Sequence, residues 1–296
     1  MQYLGIIGLV PCRSTGYEVK WEVPNGTVWY ALGDREMRMR LFVRLAVTAT
    51  LVSVLIGGCQ FGGDAFKAEF TRGEELTGPV AGITMLDIRT DVGKIHMDAA
   101  DVDEVRVKAE IKVKAATEEM AKELAEGVRI VLKPSGETMA IKAVKPTGFG
   151  RNQLCVDLTI TAPAGLALKC TTNVGEISTT GLTGQIEAAT NVGSIICTGL
   201  HGSVDLQTDV GDIHAEYAPD APAAIHVNAS TNVGSIELAG PKDISAKLTA
   251  EANVGSIDTD RPLTVTGHLK ESIMASLGSA EGRISLRTNV GSVHIR

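Results

Sequence analysis

From Gly175 onward, glycine is repeatedly followed by one polar residue and then by Ile or Val. The aliphatic positions are Ile177, Ile186, Ile195, Val204, Ile213, Ile236, Ile257, Ile284 and Val293. The residues between are Glu176, Gln185, Ser194, Ser203, Asp212, Ser235, Ser256, Arg283 and Ser292. Polar-then-apolar alternation directly after a turn residue predicts short, half-buried strands.

Six of these nine glycines, together with Gly93, belong to a longer motif that occurs seven times. Its copies are Thr90–Ile95, Thr172–Ile177, Thr190–Ile195, Thr208–Ile213, Thr231–Ile236, Ala252–Ile257 and Thr288–Val293. From Gly175 the intervals are 18, 18, 23, 21 and 36 residues, and the last predicts a degenerate copy between two recognisable ones. Gly175, Gly184, Gly193, Gly202 and Gly211 lie nine apart, which gives one strand and one turn per half-repeat. Two halves make an 18-residue coil that cannot bury its own Ile and Val. Stacked coils would form parallel sheets around a narrow aliphatic core. Residues 173–296 then make about seven coils and roughly 33 Å of stack.

The first part of the chain is patterned differently. Residues 83–89 and 95–97 read as strands around the first motif, and Glu104–Val113 alternates. Thr117–Glu126 reads as a helix capped by Thr117, with Met120 and Leu124 on one face. Residues 128–132 and 138–144 read as a hairpin around Pro134-Ser135-Gly136, and 154–161 as a strand. The expected class is all-β: a parallel β-solenoid over 154–296, preceded by a small α+β cap over 77–153 and a linker over 59–76.

The order of these segments resembles the putative-adhesin family of bacterial envelope proteins, a domain family of unknown function. The resemblance rests on a first strand–Gly motif, a strand–helix–hairpin segment, the Val156–Pro163 strand and the Thr-Asn-Val-Gly-x-Ile coils. It covers roughly 78–296 and implies an envelope β-solenoid. It carries over no catalytic residue.

Charge and composition narrow the function. The 296-residue chain has 28 Lys and Arg against 35 Asp and Glu, a net charge of −7, which disfavours phosphate-backbone binding. Basic residues from Met37 to Arg44 precede an apolar run over Leu45–Ile56 that is too short to span a bilayer as a helix. Such a pattern marks a secretory signal over 37–58. Ile56-Gly57-Gly58-Cys59 resembles a bacterial lipobox, which implies diacylation of the Cys59 thiol and cleavage before it. Gln60, by resemblance to the bacterial sorting rule, favours an outer membrane where there is one. Both Trp and three of the four Tyr lie in the first 30 residues, so 1–36 reads as an unusual leader or as sequence upstream of the true start. Beyond Cys59 the chain carries 22 Lys and Arg against 31 Asp and Glu, a net charge of −9. Its other cysteines, Cys155, Cys170 and Cys197, have no metal spacing and read as free thiols.

The remaining candidate chemistry is thin. Asp91, Asn173, Asn191, Asp209, Asn232, Asn253 and Asn289 occupy one motif position. Calcium would need several carboxylates there, so the column reads as a structural ladder of stacked amides. His96, His214 and His294 share an outward position but are not consecutive, and read as surface. No G-x-S-x-G, H-E-x-x-H or P-loop occurs. No enzyme activity, cofactor, metal or nucleic-acid partner is expected. The expected function is a lipid-anchored, extracytoplasmic adhesion or scaffolding surface that binds an envelope protein or polysaccharide. The alternative is an accessory component of envelope-stress sensing, which neighbouring regulatory genes would favour.

An amide ladder and a calcium column make opposite predictions. Asn191→Asp beside Asp209 should destabilise the fold by roughly 0.5–1 kcal/mol through like-charge contact. Thermal melts with millimolar Ca²⁺ and with chelator should coincide for the unaltered protein. A large Ca²⁺-dependent rise in Tm would overturn the ladder.

Overall fold

The computed structural model describes residues 8–11, 17–23, 26–31, 68–269 and 272–296. Cys59, the 45–56 run and the signal-like segment lie outside the described residues. The chain divides into two compact units, 1–63 and 64–296. In the first, β1 (Gly8–Pro11), β2 (Tyr17–Val23) and β3 (Gly26–Ala31) form an antiparallel sheet. Every buried apolar residue described, from Ile83 to Ile295, lies in the second unit, so 64–296 carries its own core.

The second unit begins with β4 (Ala68–Pro79), β5 (Met85–Val92), β6 (Ile95–Ala99) and β7 (Glu104–Ala115). Helix α1 (Glu118–Gly127) follows, then β8 (Arg129–Ser135), β9 (Thr138–Val144) and β10 (Gln153–Ala162). The coils continue as β11 (Ala167–Val174) with β12 (Ile177–Thr180), then β13 (Ile186–Val192) with β14 (Ile195–Leu200). Next come β15 (Val204–Val210) with β16 (Ile213–Tyr217), and β17 (His226–Val233) with β18 (Ile236–Ala239). The chain ends with β19 (Ala246–Val254), β20 (Ile257–Thr259), β21 (Thr264–Leu269), β22 (Ser272–Leu277), β23 (Gly282–Val290) and β24 (Val293–Ile295).

Two sheets face each other. One runs β4-β7-β10-β6-β12-β14-β16-β18-β24-β20, the other β8-β9-β5-β11-β13-β15-β17-β23-β19-β22-β21. Each motif copy is the corner where the chain passes from the second sheet to the first. Pairing is parallel from β10 to β20 and from β9 to β19, and antiparallel beyond. Buried residues alternate along each strand. Ile95, Ile177, Ile195, Ile213, Ile236 and Val293 are at most 1 % exposed and line up in register.

Four expectations need correction. The 36-residue interval holds no degenerate coil: β21 and β22 pair antiparallel and continue the second sheet past β19. Copies also do not stack in chain order, because β23–β24 lies between β17–β18 and β19–β20. The copy at 252–257 has Ala252 where the others have Thr, and it takes the end position. Thirdly, 59–76 is not all linker, since β4 starts at Ala68 and pairs with β7 over its whole length. Its charged residues hid the alternation, and Arg72 points inward to donate to the carbonyls of Ala125 and Val128. Finally, α1 does not set Met120 and Leu124 on one packed face: Ala121 and Ala125 are buried and Leu124 packs partly against the core, while Met120 is exposed. Thr117 caps it by accepting from the Met120 amide at 3.2 Å.

The corner glycines explain the tight stacking. Gly93, Gly175, Gly193, Gly211, Gly234, Gly255 and Gly291 have φ between 136° and 155°. A Cβ at Gly193 would fall on the carbonyl of Gly175, and one at Gly175 on that of Gly93. Glycine is needed there both for the dihedral and for the backbone approach. Beside it, the inward Thr donates to a neighbouring coil's glycine carbonyl. Thr208 reaches Gly193 at 2.9 Å, Thr231 reaches Gly211 at 3.0 Å and Thr288 reaches Gly234 at 2.8 Å.

Three substitutions test this packing by chemical denaturation. Ile195→Asp should cost several kcal/mol by burying an unpaired charge, while Ser194→Asp should change stability by about 0.5 kcal/mol. Gly193→Ala should cost about 3 kcal/mol or more despite adding one methyl. Equal effects at 194 and 195 would refute the inward–outward assignment.

Candidate interaction surface

The corner breaks the alternation that the strands obey. Thr points inward, but the next two residues, Asn or Asp and then Val, are both exposed before glycine turns the chain. Two outward columns therefore run side by side along the stack.

The first is the Asn/Asp column. Asn253 donates to Asn289, Asn289 to Asn232 and Asn232 to Asp209, each at 2.9 Å. This run crosses four coils in the order β19, β23, β17, β15. An ionised carboxylate accepts and cannot donate, so Asp209 ends it. Asn173 and Asn191 stand in the same column outside the run. Asp91, at the far end, instead accepts from Lys145 Nζ at 2.7 Å.

The second column is Val92, Val174, Val192, Val210, Val233, Val290 and Val254 in stack order. These side chains are 39–64 % exposed. Scattered exposed valines are ordinary, but seven in contiguous register form an apolar ridge about 30 Å long. The ridge was readable as Val in all seven copies. Strict period-two reasoning fails at a corner, so the exposure was not.

The histidines lie on the outer face of the first sheet, each beside an acceptor. His96 Nδ1 is 2.7 Å from Ser178 Oγ, His214 Nδ1 is 3.0 Å from Glu237, and His294 Nε2 is 3.4 Å from Asp260. The strand exchange puts His294 next to Glu237 in register, which the chain order concealed. Among the described residues, no group of three or more His, Cys, Asp or Glu is arranged to hold a metal ion. Cys155, Cys170 and Cys197 are free. Burial pushes the Cys197 thiol up to about 11 and raises those of Cys170 and Cys155. Thiols held protonated are poor nucleophiles. Asp157 is half-buried, which opposes ionisation, but the Lys94 amide and Lys112 outweigh this and hold its carboxyl below the usual range.

No curated protein matches the chain. Residues 156–296 match the family described as Toastrack DUF4097. Three solved structures are similar. A putative cell adhesion protein from Clostridium sporogenes ATCC 15579 is 15 % identical, with 76 % of this chain and 99 % of that chain covered and a TM-score of 0.45. A putative adhesin from Bacteroides fragilis NCTC 9343 is 16 % identical, with coverages of 79 % and 100 % and a TM-score of 0.34. One from Parabacteroides distasonis ATCC 8503 is 12 % identical, with coverages of 76 % and 97 % and a TM-score of 0.29. The likeness to a described family is thus to Toastrack DUF4097, over residues 156–296, just under half of the chain.

Proposed function

We propose that this protein is a non-enzymatic adhesion or scaffolding surface of the cell envelope, tethered outside the cytoplasm by a lipid on Cys59. The observation that carries the reading is the exposed valine ridge beside the amide column. Contiguous exposed apolar surface costs solubility and marks an interaction site more often than chance. The amides alongside offer donors and acceptors at strand spacing, suited to an extended protein segment or a polysaccharide. The ridge is rigid, because each valine sits between a hydrogen-bonded strand and a constrained glycine. A preformed surface binds without an ordering cost.

Two experiments test the two halves of this reading. Fatty-acid labelling should mark the unaltered protein and not Cys59→Ala, which should be released in soluble form. An unlabelled wild type contradicts the anchor. Val192→Gln with Val210→Gln and Val233→Gln, which remove the apolar surface without stacking like charges on neighbouring coils, should leave folding intact, each within about 0.5 kcal/mol. Binding of residues 64–296 to isolated cell envelopes should fall roughly tenfold, equivalent to about 1.4 kcal/mol. Undiminished binding would remove the ridge from the account.

A further inference from the structure

The end of the stack at β19–β20 differs from its other levels. In six coils the corner Gly N–H and the N–H two residues on both donate to carbonyls of the next coil. Gly193 donates to Val210, Ile195 to Asp212, Gly291 to Val254 and Val293 to Ser256, each at 2.9 Å. The coil at 252–257 is the last in the stack. The matching amides of Gly255 and Ile257 have no acceptor among the described residues.

The core is open at the same place. Ile257 is only partly buried, whereas the other six members of its corner column are at most 1 % exposed. Leu263 and Ile273 are also only partly buried. Val254 and Val265, at 64 % and 53 %, are the most exposed large apolar side chains among the described residues. Val265 lies on the inner face of its sheet, since its register partner Ala275 pairs in turn with the buried Leu248.

The two sheets also stop at different levels. The first ends at β20, which shares a coil with β19. The second continues past β19 through β22 and β21, an overhang of two strands, or about 10 Å. The free edges at the two ends of the stack are unlike. At the other end, β4 carries Glu69, Arg72, Glu74 and Glu75, and β8 carries Arg129, Lys133 and Pro134. Charges and proline of this kind keep an edge from pairing. β21 has no Asp, Glu, Lys, Arg or Pro, and one bulge between Val265 and Gly267. β20 has a single carboxylate, Asp258.

We infer that this end is the joint of a two-fold dimer, and that its occupant is a second copy of this chain. A two-fold axis parallel to the strands exchanges the sheets across the joint. The β22–β21 overhang of each copy then continues the first sheet of the other, with β21 of one beside β20 of the other. The step in one copy is filled by the overhang of its mate, so the end is complementary to itself. The facing overhangs bury the exposed parts of Val265, Ile257 and Ile273, and the amides of Gly255 and Ile257 gain strand acceptors. Asp258 meets an uncharged strand rather than its own copy. The same patch serves both copies, so the contact closes at two and leaves no free end to extend a fibre. This axis keeps the corners on one side and aligns the two valine columns end to end, Val254 towards Val254. A repetitive ligand then meets two ridges at once, which raises avidity.

The test follows residues 64–296, which carry their own core, by sedimentation velocity over a concentration series. The unaltered chain should pass reversibly from monomer to dimer. Val265→Lys, which sets a charge in the joint, should weaken the dimer roughly tenfold or more. Met120→Lys, a like change at an exposed site on α1, should dimerise as the unaltered chain does. Circular dichroism of the dilute monomers should be the same for all three. In a Cys155→Ser background, nitroxides on Val254→Cys should couple across the dimer at roughly 15–30 Å, three strand spacings plus the label arms. Nitroxides on Val92→Cys, at the far ends, should not couple. A chain that is monomeric at every concentration overturns the inference. So does a dimer that Val265→Lys leaves intact, or one whose 254 labels do not couple. The joint uses none of Val192, Val210 and Val233, so a monomer counts against the joint, whereas undiminished envelope binding by their triple variant counts against the ridge.

Discussion

The close approach of backbones at the Thr-Asn-Val-Gly corner is the constraint on which the structure depends. At each corner the glycine packs against a carbonyl of the neighbouring coil, where no Cβ fits. The glycine column consequently follows the stack: Gly93, Gly175, Gly193, Gly211, Gly234, Gly291, Gly255. The threonine hydroxyls bond into the same carbonyl column from the inside, which satisfies backbone acceptors that turning would otherwise leave buried. Parallel register, the aliphatic core and the outward columns all follow from this contact. It also explains why all seven corners present valine, and an Asn or Asp before it, in the same way.

Much of this was legible because a repeat multiplies a weak local signal. One Gly-polar-Ile triplet means little, whereas nine define a strand period and a core column. The helix over 118–127 and the hairpin 129–144 carried their own caps and turn residues, and they stand where the pattern put them. Neighbour order was illegible. Coils with the same inward pattern are interchangeable in a parallel stack, and nothing in an interval of 36 residues says which coil lies beside which. The only local mark was Ala252, which lacks the hydroxyl that interior copies use. Strand β4 was missed for another reason. Glu69, Arg72, Glu74 and Glu75 crowd it, and only the pairing with β7 and α1 makes half of them face inward.

The surface divides in the same way. The amide column was visible in composition, since Asn occupies five of seven copies. The valine ridge was visible as repetition, but its exposure depended on corner geometry. The exchange of β23–β24 with β19–β20 sets which coil presents its valine at each point along the ridge.

Cysteine pairs placed in the valine column test that order most directly. Adjacent parallel strands put Cα atoms about 4.8 Å apart, within the span of a disulfide, whereas second neighbours are about 9.6 Å apart and beyond it. Val233→Cys with Val290→Cys should oxidise to an intramolecular bond identifiable by peptide mass. Val233→Cys with Val254→Cys should remain reduced under the same conditions. A bond between positions 233 and 254, with none between 233 and 290, would mean that the coils stack in chain order and would contradict the account.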